Sequence, residues 1–178
     1  NKIFRRQLTE VLTEYGPIEC IWFDGSCIIP IEDLVKKYLP NGMVFQSPCA
    51  TLRWGGNEGG MAPYPIWNAV MEEDARTGVA SARHGTPYGE VWMPLVFNSP
   101  IRHHTWFWKP WQQDSDKGLK SLDHLMECYY KTVGRGCHYL LNLAPDTTGR
   151  FNPIDVERAL EFGGEIRRRL CRSIAETS

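Results

Sequence analysis

Ile18-Glu19-Cys20-Ile21-Trp22-Phe23 runs straight into Asp24-Gly25, and the architecture is read outward from there. This near-continuous apolar run is too short for a helix, and Ile, Trp and Phe favour an extended chain. It predicts a strand buried on both faces, as parallel strands are. Upstream, Phe4, Leu8, Val11, Leu12 and Tyr15 recur at helical spacing until Gly16-Pro17 stops the helix. Downstream, Ile31, Leu34, Val35, Tyr38 and Leu39 form one face of a second helix, closed by Pro40-Asn41-Gly42. Met43 to Phe45 then reads as a second buried strand.

From Pro48 to about Tyr88 the periodicity disappears and Gly, Pro, Asn and Trp dominate. A loop this long inside a compact domain is usually functional or disordered, and its aromatics favour function. Val91 to Val96 and Thr105 to Trp108 are each expected to be strand-like. Leu119, Leu122, Leu125, Met126, Tyr129 and Val133 mark a helix ended by Gly134, and Tyr139 to Leu143 is a further apolar strand. Asn152 as N-cap, Pro153 in the first turn and Asp155 beside it open a last helix carrying Val156, Leu160, Ile166 and Leu170. Its Arg167-Arg168-Arg169 run reads as a solvated face near a helix C-terminus.

Helices alternating with strands define an α/β protein with a parallel sheet. A nucleotide-binding fold is excluded by the glycines. Gly134-Arg135-Gly136 precedes a strand and lacks a third glycine, and Gly55-Gly56-Asn57-Glu58-Gly59-Gly60 is not followed by Lys-Ser/Thr. A TIM-type (β/α)8 barrel fits better. Such barrels take about 250 residues, and this chain has 178. The expectation is a partial, C-terminal barrel, with residues 1–178 as one part-domain and the N-terminal half lying elsewhere. The abrupt opening at Asn1-Lys2-Ile3-Phe4, without initiator Met or leader, agrees with that expectation.

Composition narrows the function. With 20 basic and 21 acidic side chains the net charge is -1, which gives nucleic acid no electrostatic footprint. No apolar run approaches the ~20 residues of a membrane helix. The six cysteines contain no C-x-x-C pair and suggest neither zinc nor a redox motif. They read as scattered buried thiols, with no disulfide pairing selected.

In such barrels catalytic side chains sit at the C-terminal ends of the strands, and Asp24 occupies that position. The alternative is that Asp24 caps the next helix or shapes the turn with Gly25. At period two Trp22 and Asp24 face the same way, which would lay an indole beside the carboxylate, an arrangement suited to a sugar ring. Arg53, in the loop after the next strand, either reaches sugar hydroxyls and the carboxylate or pairs structurally at the loop base. His103 and His104 with Trp106 and Trp108 either line an outer subsite or form a strand edge with surface histidines.

Tyr15-Gly16-Pro17-Ile18 and Trp22-Phe23-Asp24-Gly25 resemble the nucleophile strand of the α-L-fucosidases of glycoside hydrolase family 29. The likeness continues through Arg53-Trp54-Gly55-Gly56-Asn57-Glu58, Ala62-Pro63-Tyr64-Pro65, Trp67-Asn68, Trp92-Met93-Pro94, Ile101-Arg102 and Trp106-Phe107-Trp108. It closes on Tyr129-Tyr130-Lys131, Val133-Gly134-Arg135-Gly136, Leu140-Leu141-Asn142, Pro145-Asp146 and Gly149. The motifs cover nearly the whole chain in order. The resemblance implies a retaining glycosidase acting on a fucosylated glycan, in which a second carboxyl group ~5–5.5 Å from the nucleophile protonates the leaving oxygen. It implies Asp24 as nucleophile, Trp22, Trp54 and Trp67 as lining for the sugar, and Arg53 as support. It implies no cofactor and no metal, and a secreted, periplasmic or lysosomal setting. Histidines that bind fucose in the family's N-terminal portion have no counterpart here.

Two departures concern the acid/base. Relatives often carry it some dozen residues beyond the arginine, where this chain has Pro63-Tyr64-Pro65-Ile66-Trp67. They also often carry a Glu after Trp-x-Pro, where this chain has Pro94-Leu95-Val96. Glu58 is the nearest acid on the same loop and the first candidate, followed by Glu72, Glu73 and Glu90. A degenerate relative that holds fucose without cleaving it, or an inactive fragment, is the alternative.

Overall fold

The computed structural model describes residues 1–25, 27–75 and 84–173. The chain forms two compact units, Asn1–Gly56 with Pro63–Val96, and Asn57–Ala62 with Phe97–Ser178.

In the first unit, helix α1 (Lys2–Glu14) lays Leu8 and Leu12 onto strand β1 (Cys20–Trp22) and helix α2 (Glu32–Tyr38). Glu32 and Asp33 in the first turn of α2 and Lys36 and Lys37 in its last complement the helix dipole. The core there is Ile21, Cys27, Ile31, Val35, Leu39 and Val44. Burial of these aliphatic groups, each about 1.5–3 kcal/mol, holds the unit together. The exposed Arg5–Asp33 pair between α1 and α2 (2.9 Å) adds little.

Strand β1 pairs in parallel with β2 (Met43–Phe45), Ile21 facing Val44 and Trp22 facing Phe45. Phe45 forms a parallel bridge to Leu52. The next strand, β3 (Arg53–Trp54), pairs in parallel with the start of a longer strand, Arg53 facing Leu95 and Trp54 facing Val96. Four strand segments thus follow one another in parallel, with α2 as the crossover that such pairing requires. A short antiparallel ribbon, β4 (Ala69–Val70) and β5 (Val91–Trp92), interrupts the pattern. Its inward residues Val70 and Met93 are buried together.

The longer strand, β6 (Leu95–Pro100), begins in the first unit and ends in the second. In the second unit its neighbour is β7 (His138–Asn142). Helices α3 (Leu122–Thr132) and α4 (Pro153–Leu170) bury Leu125, Met126 and Phe162 with Ile101. Tyr129 and Tyr139 meet the ring of Phe162 edge-on at 6.2 and 6.4 Å. Ser121 caps α3 through the His124 N–H. Asn152 caps α4 by accepting from Ile154 and donates to the Gln112 carbonyl at 2.6 Å.

Four expectations are corrected. The strand expected over residues 18–23 spans only Cys20–Trp22, and it is not buried on both faces: Ile21 is buried, whereas Cys20 is exposed and Trp22 partly so. That description belongs instead to β6, where all six residues are buried. Residues 91–96 are split at Met93-Pro94, because Pro94 has no N–H to continue the ladder. Residues 105–108 form no strand; they follow a turn in which His104 takes φ 55°. The cysteines form no disulfide among the described residues, but only Cys27, Cys128 and Cys137 are buried. Part of the long loop, residues 76–83, lies outside the described residues. No helix among the described residues is long and apolar enough to cross a membrane.

Candidate active site

Asp24 follows β1 in a turn whose Gly25 adopts φ 83°, a conformation that favours glycine. The Phe23 N–H donates to the Phe45 carbonyl and ends the ladder just before it. The alternation of strand faces therefore stops before Asp24 and does not fix its side beside Trp22. Asp24 does not cap α2, whose N-cap is Ile31. The Asp24 carboxylate is exposed and makes no side-chain hydrogen bond or ion pair among the described residues.

Trp22 stacks on Phe45 with ring centroids 3.6 Å apart and planes 15° from parallel. Phe45 is buried, so it backs one indole face and leaves Trp22 rigid near the end of β1.

The described hydrogen bonds of Arg53 are structural. Nε donates to the Met93 carbonyl and Nη2 to the Trp67 carbonyl, both at 2.9 Å. The guanidinium braces the base of the β4–β5 ribbon. In that ribbon Trp92 is paired with Ala69, and Trp67 lies just before β4; both indoles are exposed. Trp54 is also exposed. Glu90 accepts from the Glu72 N–H at 3.3 Å and so serves as a local tie. Glu73 is exposed on the same short 3-10 turn.

Glu58 belongs to the second unit, with Trp106. The Trp106 indole N–H donates to Glu58 Oε2 at 2.9 Å. Trp106 is itself fixed by Asn142 Nδ2, which donates to its carbonyl at 2.9 Å. The loop carrying Glu58 is tied to α3 and the turn beyond it. The Cys128 thiol donates to the Gly59 carbonyl, Thr132 Oγ1 to that of Gly60, and Arg135 to that of Ala62. Within the loop, Asn57 accepts from the Gly59 N–H and donates to the Met61 carbonyl.

Sequence reasoning missed two features. Arg102 (1% exposed) donates to Asp155 at 2.7 Å and to the carbonyls of Lys117 and Ser115 at 2.8 and 2.6 Å. An Asp near a helix start reads as a dipole partner, and nothing in the sequence distinguishes a buried ion pair. The bond from Trp106 to Glu58 joins residues 48 apart, beyond any local signal. His103 and His104 are exposed, on a turn rather than a strand edge. No group of three or more His, Cys, Asp or Glu that could hold a metal ion occurs among the described residues.

Asp24 and the stacked Trp22 belong to the first unit, and Glu58 with its Trp106 donor to the second. The family model for alpha-L-fucosidase matches residues 1–168, and the chain belongs to that family. Alpha-L-fucosidase 1 of Arabidopsis thaliana is 29% identical over 175 residues, which are 91% of this chain and 33% of that protein. A crystallised Bacteroides thetaiotaomicron protein assigned as an alpha-L-fucosidase is 33% identical, with a TM-score of 0.83 over 98% of this chain and 43% of that one. A glycoside hydrolase family 29 member from an unknown rumen bacterium is 29% identical, with a TM-score of 0.79 over 93% of this chain and 33% of that one. The chain spans about a third of the length of the curated relatives it matches.

Proposed function

We propose that this protein is a retaining α-L-fucosidase that releases terminal α-L-fucose from glycans, with Asp24 as nucleophile. The observation that carries the reading is the exposed carboxylate of Asp24, without a side-chain partner among the described residues, just beyond a parallel strand that holds the Trp22–Phe45 stack. The succession of parallel segments β1, β2, β3 and β6 supports placing residues 1–178 in the C-terminal part of a (β/α)8 catalytic barrel.

In this mechanism an Asp24 carboxylate oxygen bonds to the anomeric carbon as the glycosidic bond breaks. The leaving oxygen takes a proton from a carboxylic acid. The same group, now a carboxylate, removes a proton from the water that cleaves the glycosyl ester and frees Asp24. For this acid/base role we carry Glu58 forward. Trp106 orients its Oε2, and Oε1 has no partner among the described residues. Trp22, Trp54 and Trp67 are the proposed sugar-lining aromatics. Arg53 supports them indirectly, by fixing the backbone of Trp67.

A fluorinated fucosyl reagent that traps the glycosyl-enzyme tests the nucleophile. Peptide mapping is expected to place the label on Asp24; a label elsewhere overturns the assignment. Glu58→Ala is expected to lose turnover of unactivated substrates; azide, which needs no general base, is expected to restore turnover only of substrates whose leaving group needs no protonation.

The second reading, a relative that binds fucose without cleaving it, is favoured by one observation. Val96, in the region where relatives often carry a Glu, is an apolar and wholly buried strand residue. Fucose binding without hydrolysis by the unmodified protein selects that reading. Hydrolysis that falls about 10⁴-fold or more in Asp24→Asn rejects it.

A further inference from the structure

We infer that Asn142, the last residue of β7, is a positioning residue for Glu58 and acts on it through Trp106. The inference rests on the acid/base reading of Glu58. Asn142, Trp106 and Glu58 all lie in the second unit.

Glu58 needs outside support. It is exposed, its side chain is long, and it stands between Asn57 and Gly59-Gly60. Such a side chain samples many rotamers unless something holds it. Proton transfer to a leaving oxygen needs one geometry, kept within hydrogen-bond reach. Cys128, Thr132 and Arg135 bond the carbonyls of Gly59, Gly60 and Ala62, so they fix the loop backbone and not the carboxylate. The Trp106 indole N–H fixes the carboxylate, donating to Oε2 at 2.9 Å.

A donor is only as steady as the backbone that carries it. Residues 105–109 lie in no helix or strand. Before Trp106 the chain is pinned at Thr105, whose N–H donates to the Arg102 carbonyl and whose hydroxyl donates to that of His103. After it, Phe107 is 80% exposed, and the next backbone tie is the Lys109 N–H to Gln112 Oε1. Trp106 itself is tied to the sheet by Asn142, whose Nδ2 donates to its carbonyl at 2.9 Å.

Asn142 is well placed for this. It ends a strand paired beside β6, and its own carbonyl accepts from the N–H of buried Ile101 at 2.9 Å. Its side chain is partly buried, which limits competition from water. An amide supplies the N–H that the Trp106 carbonyl needs; an aspartate of the same shape has none. Two bonds thus run in series from a strand end, through the Trp106 backbone and indole, to the Glu58 carboxylate. Support of this kind is what holds a reacting group in productive geometry.

The test compares Asn142→Asp and Trp106→Phe, singly and together, in the full-length protein, with Asn142→Ala as a second removal of the donor. Each is first checked for a cooperative thermal transition. In Asn142→Asp, kcat for an unactivated fucoside is expected to fall about tenfold with KM little changed. For fucosyl fluoride, whose leaving group needs no protonation, kcat/KM is expected to fall at least about fivefold less. The double variant is expected to be no slower than Trp106→Phe, because the second change has nothing left to act through. Additive losses, equal losses on both substrates, or unaltered kcat overturn the inference. The Trp106 indole proton resonance gives a readout that needs no turnover. It is expected to move upfield in both Asn142 variants, toward its position in Glu58→Ala; an unmoved resonance also overturns the relay. Glu58→Ala, assayed alongside, reports on the acid/base reading itself. Full turnover there sinks that reading and the inference with it, whereas lost turnover there with intact turnover in Asn142→Asp sinks the relay alone.

Discussion

Trp106 donates its indole N–H to the carboxylate of Glu58 at 2.9 Å. A donor of this kind holds one carboxylate oxygen in a fixed direction. Replacing Trp106 by Phe keeps the ring and removes the donor. If Glu58 is the acid/base, kcat for unactivated fucosides is expected to fall about tenfold or more while KM changes little. Turnover equal to that of the unmodified protein would mean that the bond does not position the carboxylate for proton transfer.

The Arg102–Asp155 pair is nearly inaccessible to water on both sides. Asp155→Asn or Arg102→Met alone leaves a buried charge without its partner and is expected to cost about 3–5 kcal/mol. The double replacement Arg102→Met with Asp155→Leu should recover much of that loss, because desolvation of both charges is avoided. Urea denaturation of the three variants measures this, and equal damage in all three would contradict it.

Gly60 has φ +75°, and a Cβ there would lie 2.7 Å from Tyr139 Cε2 and 2.9 Å from Ser99 Oγ. Gly60→Ala combines backbone strain with overpacking and is expected to lower stability by about 1–3 kcal/mol. A thermal midpoint equal to that of the unmodified protein would show that the loop shifts freely.

Much of this was legible in the sequence because local chemistry dictated it. The 3.6-residue spacing of Phe4, Leu8 and Leu12, the Asn152-Pro153 start of α4 and the stop at Gly16-Pro17 are all short-range signals, and each element stands where it was expected. Asp24 was legible as the end of a strand. Its immediate surroundings were not, since the turn at Gly25 breaks the alternation on which the argument relied. Thr105 to Trp108 misled because aromatics favour strands, whereas here the preceding turn at His103-His104 carries the chain away from the sheet. The buried roles of Arg102 and Asp155 depend on residues brought together from afar, which composition cannot report.

His124 also sets an expectation for pH. For His124 the native state binds protons less readily than the unfolded chain. Stability therefore declines as pH falls below about 6.5, the ordinary imidazole value, and levels off once the native imidazole is also protonated. His124→Gln should flatten that decline in thermal melts between pH 7 and 5; an unchanged slope would assign it to other groups.

The contacts that anchor the Glu58 loop reach 69, 72 and 73 residues along the chain, from Cys128, Thr132 and Arg135. During synthesis the loop emerges from the ribosome long before its anchors exist, so it stays loose until the helix containing Cys128 and Thr132 has been made. A nascent chain halted before that helix would display Glu58 on a wandering segment, open to proteases. The carboxylate is thus secured late, by the part of the polypeptide that arrives after it.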